Sequence, residues 1–300
     1  SGTVDLYLQH TSDLLLERQI PVVSGFGSVL SNVGETKNKG IEISLSSLNI
    51  NTKSFQWTTD VMFYANKESI ESLYNGKVDD IGNKWFIGHP INVHYDYEKI
   101  GIWQNTPEDL AEMEEFNKNG ANFKPGDIKI WDNGDKKITE ADRKILGSTS
   151  PKFIASMVNS ISYKGFDFSI FLYASVGAML NNNIEYLNKP GRANSIVIDY
   201  WTPTNPTNAY PRPSVDNASP AYVKSLQYEK ADFIRVRNIT LGYTLPEKLL
   251  KKIRARKIRV YLSANNPFII TGFSGIDPEG ARGYTAPSAS TWMGGVNLSF

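Results

Sequence analysis

The chain has 300 residues, with 32 Lys+Arg against 31 Asp+Glu and a formal net charge of +1, a balance that argues against nucleic acid as a partner. It has no cysteine, which removes disulfides, thiolate metal sites and Cys nucleophiles, and its three histidines leave little for zinc or a His-based triad. No run of 18 apolar residues exists to make a transmembrane helix, but strands that alternate apolar and polar residues can still cross a bilayer.

Apolar residues recur mostly at every second position. Ile41, Ile43 and Leu45 alternate with Glu42, Ser44 and Ser46, and Phe55, Trp57, Thr59, Val61 and Phe63 alternate with Gln56, Thr58 and Asp60. The same period appears at Phe166, Phe168, Ile170 and Leu172, at Ile258, Val260 and Leu262, and at Val296, Leu298 and Phe300. The pattern predicts eight strands, near 3–10, 36–48, 54–66, 152–162, 166–178, 231–243, 257–265 and 291–300. The apolar sets are expected on one face, with Glu42, Ser44, Gln56, Thr58, Asp60 and Asp167 on the other. The 12% aromatic share favours β structure or a carbohydrate-facing surface.

Helical signals are few. Thr106 as N-cap, Pro107 at the first helical position and Asp109 at the third open a helix that stops near Asn119-Gly120. Pro246 opens a short Lys-rich helix over 247–253, whose basic run reads as a solvated face.

The connections alternate in length. The stretches 49–53, 163–165 and 244–256 are short, while 11–35, 67–151, 179–230 and 266–290 are long. Short turns on one rim and long loops on the other are what an outer-membrane barrel shows. An extracellular β-sandwich, as a carbohydrate-binding or adhesion module, fits the alternation equally well but not the asymmetry.

Several runs of the chain stand out from the period-two background. Asn32-Val33-Gly34-Glu35 followed by Asn38-Lys39-Gly40-Ile41-Glu42 is one. Pro125-Gly126-Asp127-Ile128, Asn133-Gly134-Asp135, Asp142-Arg143 and Leu146-Gly147 form another. Phe233-Ile234-Arg235-Val236-Arg237-Asn238-Ile239-Thr240-Leu241-Gly242-Tyr243, then Asn265-Asn266-Pro267-Phe268, Gly275-Ile276-Asp277-Pro278-Glu279 and the terminal Phe300, continue it. Together these runs, in order over nearly the whole chain, resemble the TonB-dependent outer-membrane transporters of the SusC/RagA type.

The resemblance implies an all-β fold. It would be the C-terminal portion, about eight strands spanning 1–300, of a large antiparallel transmembrane β-barrel, with 67–151 and 179–230 as long extracellular loops. The family's barrel has about 22 strands around an N-terminal plug; neither plug nor TonB box is among these 300 residues. The implied function is nutrient import at the outer membrane, of oligosaccharide or peptide. A SusD-like surface lipoprotein would be the partner, and TonB would act through the N-terminal part.

Candidate sites follow. Asn133, Asp135, Thr139 and Asp142 fall at calcium-ligand positions of an EF-hand-like loop that begins at Trp131. The family often carries Asp at the first position and Gly at the sixth, where this chain has Trp131 and Lys136. A calcium site and a metal-free turn held by side-chain-to-backbone bonds are therefore both open readings. Trp103, Trp131, Tyr200, Trp201 and Tyr210 are expected as exposed ligand-stacking rings of the long loops, the alternative being rings that pack those loops. Arg235 and Arg237 should face the lumen, to pair with acids of the plug or line the path, since lipid exposure at mid-depth would cost about 2–4 kcal/mol. No Ser-His-Asp order, HExxH or phosphate loop appears, and no carboxylate pair stands out as a glycosidase site, so no enzyme is expected.

Overall fold

The structure, a computed structural model, describes residues 1–20, 23, 25–182, 198–213, 220–250, 255–279 and 288–300. In chain order, β1 (Gly2–Gln19), β2 (Ser28–Asn51) and β3 (Phe55–Ser72) come first. They are followed by β4 (Val93–Tyr97), β5 (Lys99–Ile102), helix α1 (Pro107–Lys118), β6 (Ile128–Ile130) and β7 (Arg143–Ser148). Next are β8 (Phe153–Tyr163), β9 (Phe166–Val176), β10 (Met179–Asn181) and β11 (Tyr228–Lys230). The chain closes with β12 (Phe233–Thr244), α2 (Glu247–Leu250), β13 (Lys257–Thr271) and β14 (Thr291–Ser299).

The eight long strands form one sheet in the order β1-β2-β3-β8-β9-β12-β13-β14, and every neighbouring pair is antiparallel. All eight strands expected from the alternation are present. The connections β3–β8 and β9–β12 therefore leave from the same rim as the β1–β2 turn, and the tight turns lie on the opposite rim.

Pairing across the ladder puts directly opposed residues on one face. Trp57, Ile161, Phe168, Leu241 and Leu262 form one such row, and Val61, Met157, Leu172 and Val236 another. This is the apolar face, and its large side chains stay open to the surroundings: Leu6 is 76% exposed and Leu262 53%. Asn159 and Thr59 stand directly opposed on this face and are satisfied together, Asn159 accepting from Trp57 Nε1 at 3.0 Å and from Thr59 Oγ1 at 2.7 Å. The opposite face carries the row Thr58, Ser160, Ser169, Thr240 and Ser263. A sandwich would need a second sheet over the apolar face. Among the described residues the remaining strands are three two-stranded pairs, β4–β7, β5–β6 and β10–β11. No helix among those residues is long and apolar enough to cross a membrane.

Several strands outrun the expectation: β3 reaches Ser72 where 66 was expected, and two further extents differ. The stretch 11–35, read as a long connection, is mostly strand, because β1 and β2 stay paired from Leu14↔Gly34 out to Gln19↔Ser28. Main-chain hydrogen bonding needs only a partner strand, so the ladder continues where side-chain alternation has lapsed. A register shift after Thr11, with Asp13 at φ 57°, absorbs the change of phase. Likewise β13 runs on to Thr271. The α1 helix is capped as read, with Thr106 Oγ1 accepting from Asp109 N. The helix opened by Pro246 is described as far as Leu250; the rest of the 247–253 reading falls outside the described residues.

Candidate functional site

The two longest connections fold together into one body on the rim. Its first core contains Ile102, Ile128 and Ile130 from one connection, with Trp201, Val223 and Leu226 from the other. Pro125-Gly126 places the chain there. Asp127 N donates to Lys124 O at 3.0 Å, and Gly126 sits at φ +90°, the backbone a type II turn asks of its third residue. A Cβ at Gly126 would stand 2.5 Å from the Trp201 ring, so the motif's glycine is required twice over.

A second core gathers Trp103, Met113, Phe116 and Phe123 beneath α1. Trp103 is 1% exposed, with its ring 5.8 Å from Phe116 and 5.7 Å from Phe123, and Lys129 Nζ lies 4.1 Å over its centroid. Trp201 is 6% exposed and donates Nε1–H to Gln104 Oε1 at 2.8 Å. The expectation that these two rings are exposed is therefore corrected. Each buries a large apolar area that the body needs for its own cohesion. Trp131 is half-buried under Lys144 Nζ at 4.2 Å, and Tyr200 is exposed. Tyr210 is half-buried, accepts from Trp201 N at 3.0 Å and lines a cavity; burial pushes its hydroxyl pKa up.

The acidic loop is a closed turn. Asp142 is fully buried and accepts from Asn133 N at 2.9 Å and Thr139 N at 2.6 Å. Asp132 accepts from Gly134 N and Lys136 N, Asn133 from Asp135 N, and Asp135 from Lys137 N. Thr139 Oγ1 accepts from Ala141 N at 3.2 Å. Ligand atoms of Asp132, Asp135 and Asp142 lie within 4.8 Å of one another, and one Asp132 oxygen is buried without a partner. Asp132 was not among the four sequence candidates. Lys136 occupies the usual glycine position with φ 57°, and its Nζ bonds Glu112 Oε1 on α1 at 2.8 Å. That hydrogen bond raises the Lys136 pKa. Burial pulls the Glu112 carboxyl up, but Lys129 and Lys136 outweigh it and hold it below its ordinary value. Lys136, bonded to Glu112, is thus a cation of the chain itself within electrostatic reach of Asp132.

Two adjoining cavities of about 400 and 420 Å³ share Ser225 as a wall. The first holds Tyr210, Tyr228, Lys99, Glu98 and Glu229. Its charges are engaged: Lys99 Nζ donates to the carbonyls of Asn208 at 2.6 Å and Ala209 at 2.9 Å, Glu98 pairs with Lys144, and Glu229 accepts from Ser274 Oγ. Burial lowers the Lys99 pKa. The second cavity lies between β4 and the turn after Tyr222. His94, read as an ordinary loop histidine, joins the two connections by bonding Met179 O at 2.9 Å through Nε2. Sequence reasoning missed Tyr95, Tyr97 and Tyr222. The alternation Tyr95-Asp96-Tyr97 was the available signal, since it puts two rings on one side of a short strand.

Inside the sheet's polar face, Arg235 is buried and pairs with Asp277 and Glu279, each at 2.6 Å, while Arg237 also reaches Glu279. A bulge makes this possible. Val236 pairs with Leu172 and Asn238 with Phe171, so Arg237 has no opposite residue and the apolar face resumes at Ile239. The acids come from the Gly275–Glu279 run of this same chain.

An antiparallel sheet with an apolar outer face, a polar inner face and its long connections folded on one rim defines a segment of a transmembrane β-barrel. The chain is 34% identical over 292 residues to TonB-dependent receptor P3 of Formosa agariphila, covering 92% of this chain and 28% of that one. It is 30% identical to TonB-dependent receptor SusC of Bacteroides thetaiotaomicron, over 100% of this chain and 30% of SusC. The solved structure of the RagAB peptide transporter matches 100% of this chain and 33% of its own at 26% identity, with a TM-score of 0.77. A scan against protein-family models finds no match. By sequence and by fold, the chain belongs with the TonB-dependent receptors of the SusC/RagA type, proteins of the outer membrane. It spans about a third of the length of the relatives it matches.

Proposed function

We propose that the chain is the C-terminal barrel portion of an importer that takes up oligosaccharide or peptide with a SusD-like surface lipoprotein as lid. TonB would drive it through the N-terminal part. The 67–151 and 179–230 connections are then extracellular and meet lid and ligand. The work is binding and gated passage, without a covalent step. The observation that carries this reading is the two-faced sheet, apolar outside and polar within, bearing a folded body on one rim.

Deleting the whole gene should abolish growth on the oligosaccharide or peptide mixture that the strain otherwise uses, and the tagged transporter should copurify a surface lipoprotein. Undiminished growth on both nutrients would count against import. The lipid-facing assignment has its own check. Leu262→Arg should destabilise the assembled barrel by about 2–4 kcal/mol, while Ser263→Arg on the opposite face should not pay that membrane cost. Urea titration in detergent and in lipid would read the difference.

The acidic loop is proposed to close without a resident metal, its charge balanced by Lys136. Chelation should change hydrogen-exchange protection of 131–142 by less than about twofold. Sub-micromolar calcium binding that disappears in Asp135→Ala would overturn this.

A further inference from the structure

We propose that the 420 Å³ cleft between β4 and the Tyr222 turn binds the carboxylate-bearing sugar of an acidic oligosaccharide. The proposal rests on the import reading and narrows its substrate class.

The cleft's charge is the first reason. Lys84, Arg143 and Lys224 line it, against Asp96 as its one acid. Asp96 is committed: one oxygen accepts from Tyr228 Oη at 2.8 Å and the other from Tyr97 N at 2.9 Å. Among the described residues no carboxylate pairs with Lys84 or Lys224. Arg143 touches the exposed Glu140 through Nη1 at 3.2 Å, and its buried Nε–H meets no acceptor. The cleft therefore holds a surplus of positive charge, carried by groups of the kind that pair with carboxylate oxygens.

The walls are the second reason. Tyr97 and Tyr222 stand 5.0 Å apart at 70°, and the Arg143 guanidinium lies 5.2 Å over the Tyr97 ring, which fixes its plane. Flat rings with hydroxyl tips suit a pyranose, which is apolar on its face and polar at its rim. The cleft's one aliphatic wall is Val223, so it offers no pocket for apolar peptide side chains. An incoming peptide amine would find no open carboxylate there, and the acids of the neighbouring cavity are already engaged.

Backbone strain is the third. Lys84 at φ 60° and Tyr222 at φ 61° are two of the six non-glycine residues with positive φ among those described, and both line this cleft. Such conformations persist where surrounding structure imposes them, and they gather at ligand sites.

The test uses the whole transporter with its plug and partner lipoprotein, purified in detergent, and calorimetry with three probes: tetragalacturonate, maltotetraose and tetra-alanine. Tetragalacturonate should bind, and its affinity should fall as salt rises from low to high ionic strength. Arg143→Ala should weaken it at least about tenfold, and the exposed Lys84→Ala and Lys224→Ala each severalfold, with the barrel's heat-modifiability on gels unchanged. Absence of tetragalacturonate binding would overturn the proposal, as would binding indifferent to all three variants. Binding of maltotetraose or tetra-alanine in its place would overturn the acidic class and leave import standing. The import reading itself fails only on the growth experiment above.

Discussion

Arg235→Ala should destabilise the assembled protein by about 3–5 kcal/mol, because it leaves the buried Asp277 carboxylate without its cation while Glu279 keeps only Arg237. Asp277 is 7% exposed, and Arg235 is 3% exposed. Burial alone would raise the Asp277 pKa, but N–H bonds from Glu279 and Ser288, together with Arg235, outweigh it and hold the carboxyl below its ordinary value. The sign for pH follows. A depressed folded-state pKa contributes stability that is present above the unfolded carboxylate pKa and lost as pH falls through the folded one. Arg235→Met with Asp277→Asn should recover much of the loss, since the isolated charge is then gone and Glu279 keeps Arg237. Urea midpoints in detergent, measured near neutrality and in acid, would compare the variants. A single alanine variant as stable as the parent would show that the trio contributes nothing.

Trp103→Ala should cost a similar amount, about 3–5 kcal/mol, but locally. The ring is the shared centre of the second rim core, touching Phe116 and Phe123 and lying under Lys129. Its loss should loosen α1 and the 131–142 turn while the eight-stranded sheet stays assembled, because no strand of that sheet contributes to the core. Limited proteolysis should then cut within 107–142 in the variant and leave the barrel band intact. Equal protease resistance would mean the body is held elsewhere, through the Trp201 core.

The strands were legible because a bilayer-facing sheet imposes a strict period of two on its outer face. The bulge in β12 was not read, although its trace is there: outward apolar residues are two apart up to Val236 and then three apart to Ile239. The upper reach of β1 and β2 was not legible. Above the belt both faces meet water, so nothing selects the alternation, and only main-chain pairing marks the strand. Arg235 and Arg237 could be assigned to the lumen from the cost of lipid exposure, but their partners could not be named. Asp277 and Glu279 are 42 residues further along, and no spacing rule reaches that far. Trp103 and Trp201 looked exposed because they lie in long connections. Their burial depends on two connections folding against one another, a tertiary fact that a linear reading of either stretch does not contain.

The length of β2 has a consequence for how the molecule meets its surroundings. Of its 24 residues, about 11 suffice to cross the hydrocarbon layer. The remaining ~13, at ~3.4 Å each and tilted by ~45°, carry the β1–β2 hairpin roughly 30 Å beyond the apolar belt. Over 35–40 this extension is braced on its second side by β3, and only over 28–34 is it a two-stranded ribbon stiffened by its own ladder. In the proposed orientation, the paired ends of β1 and β2 therefore stand outside the cell, clear of the lipid surface.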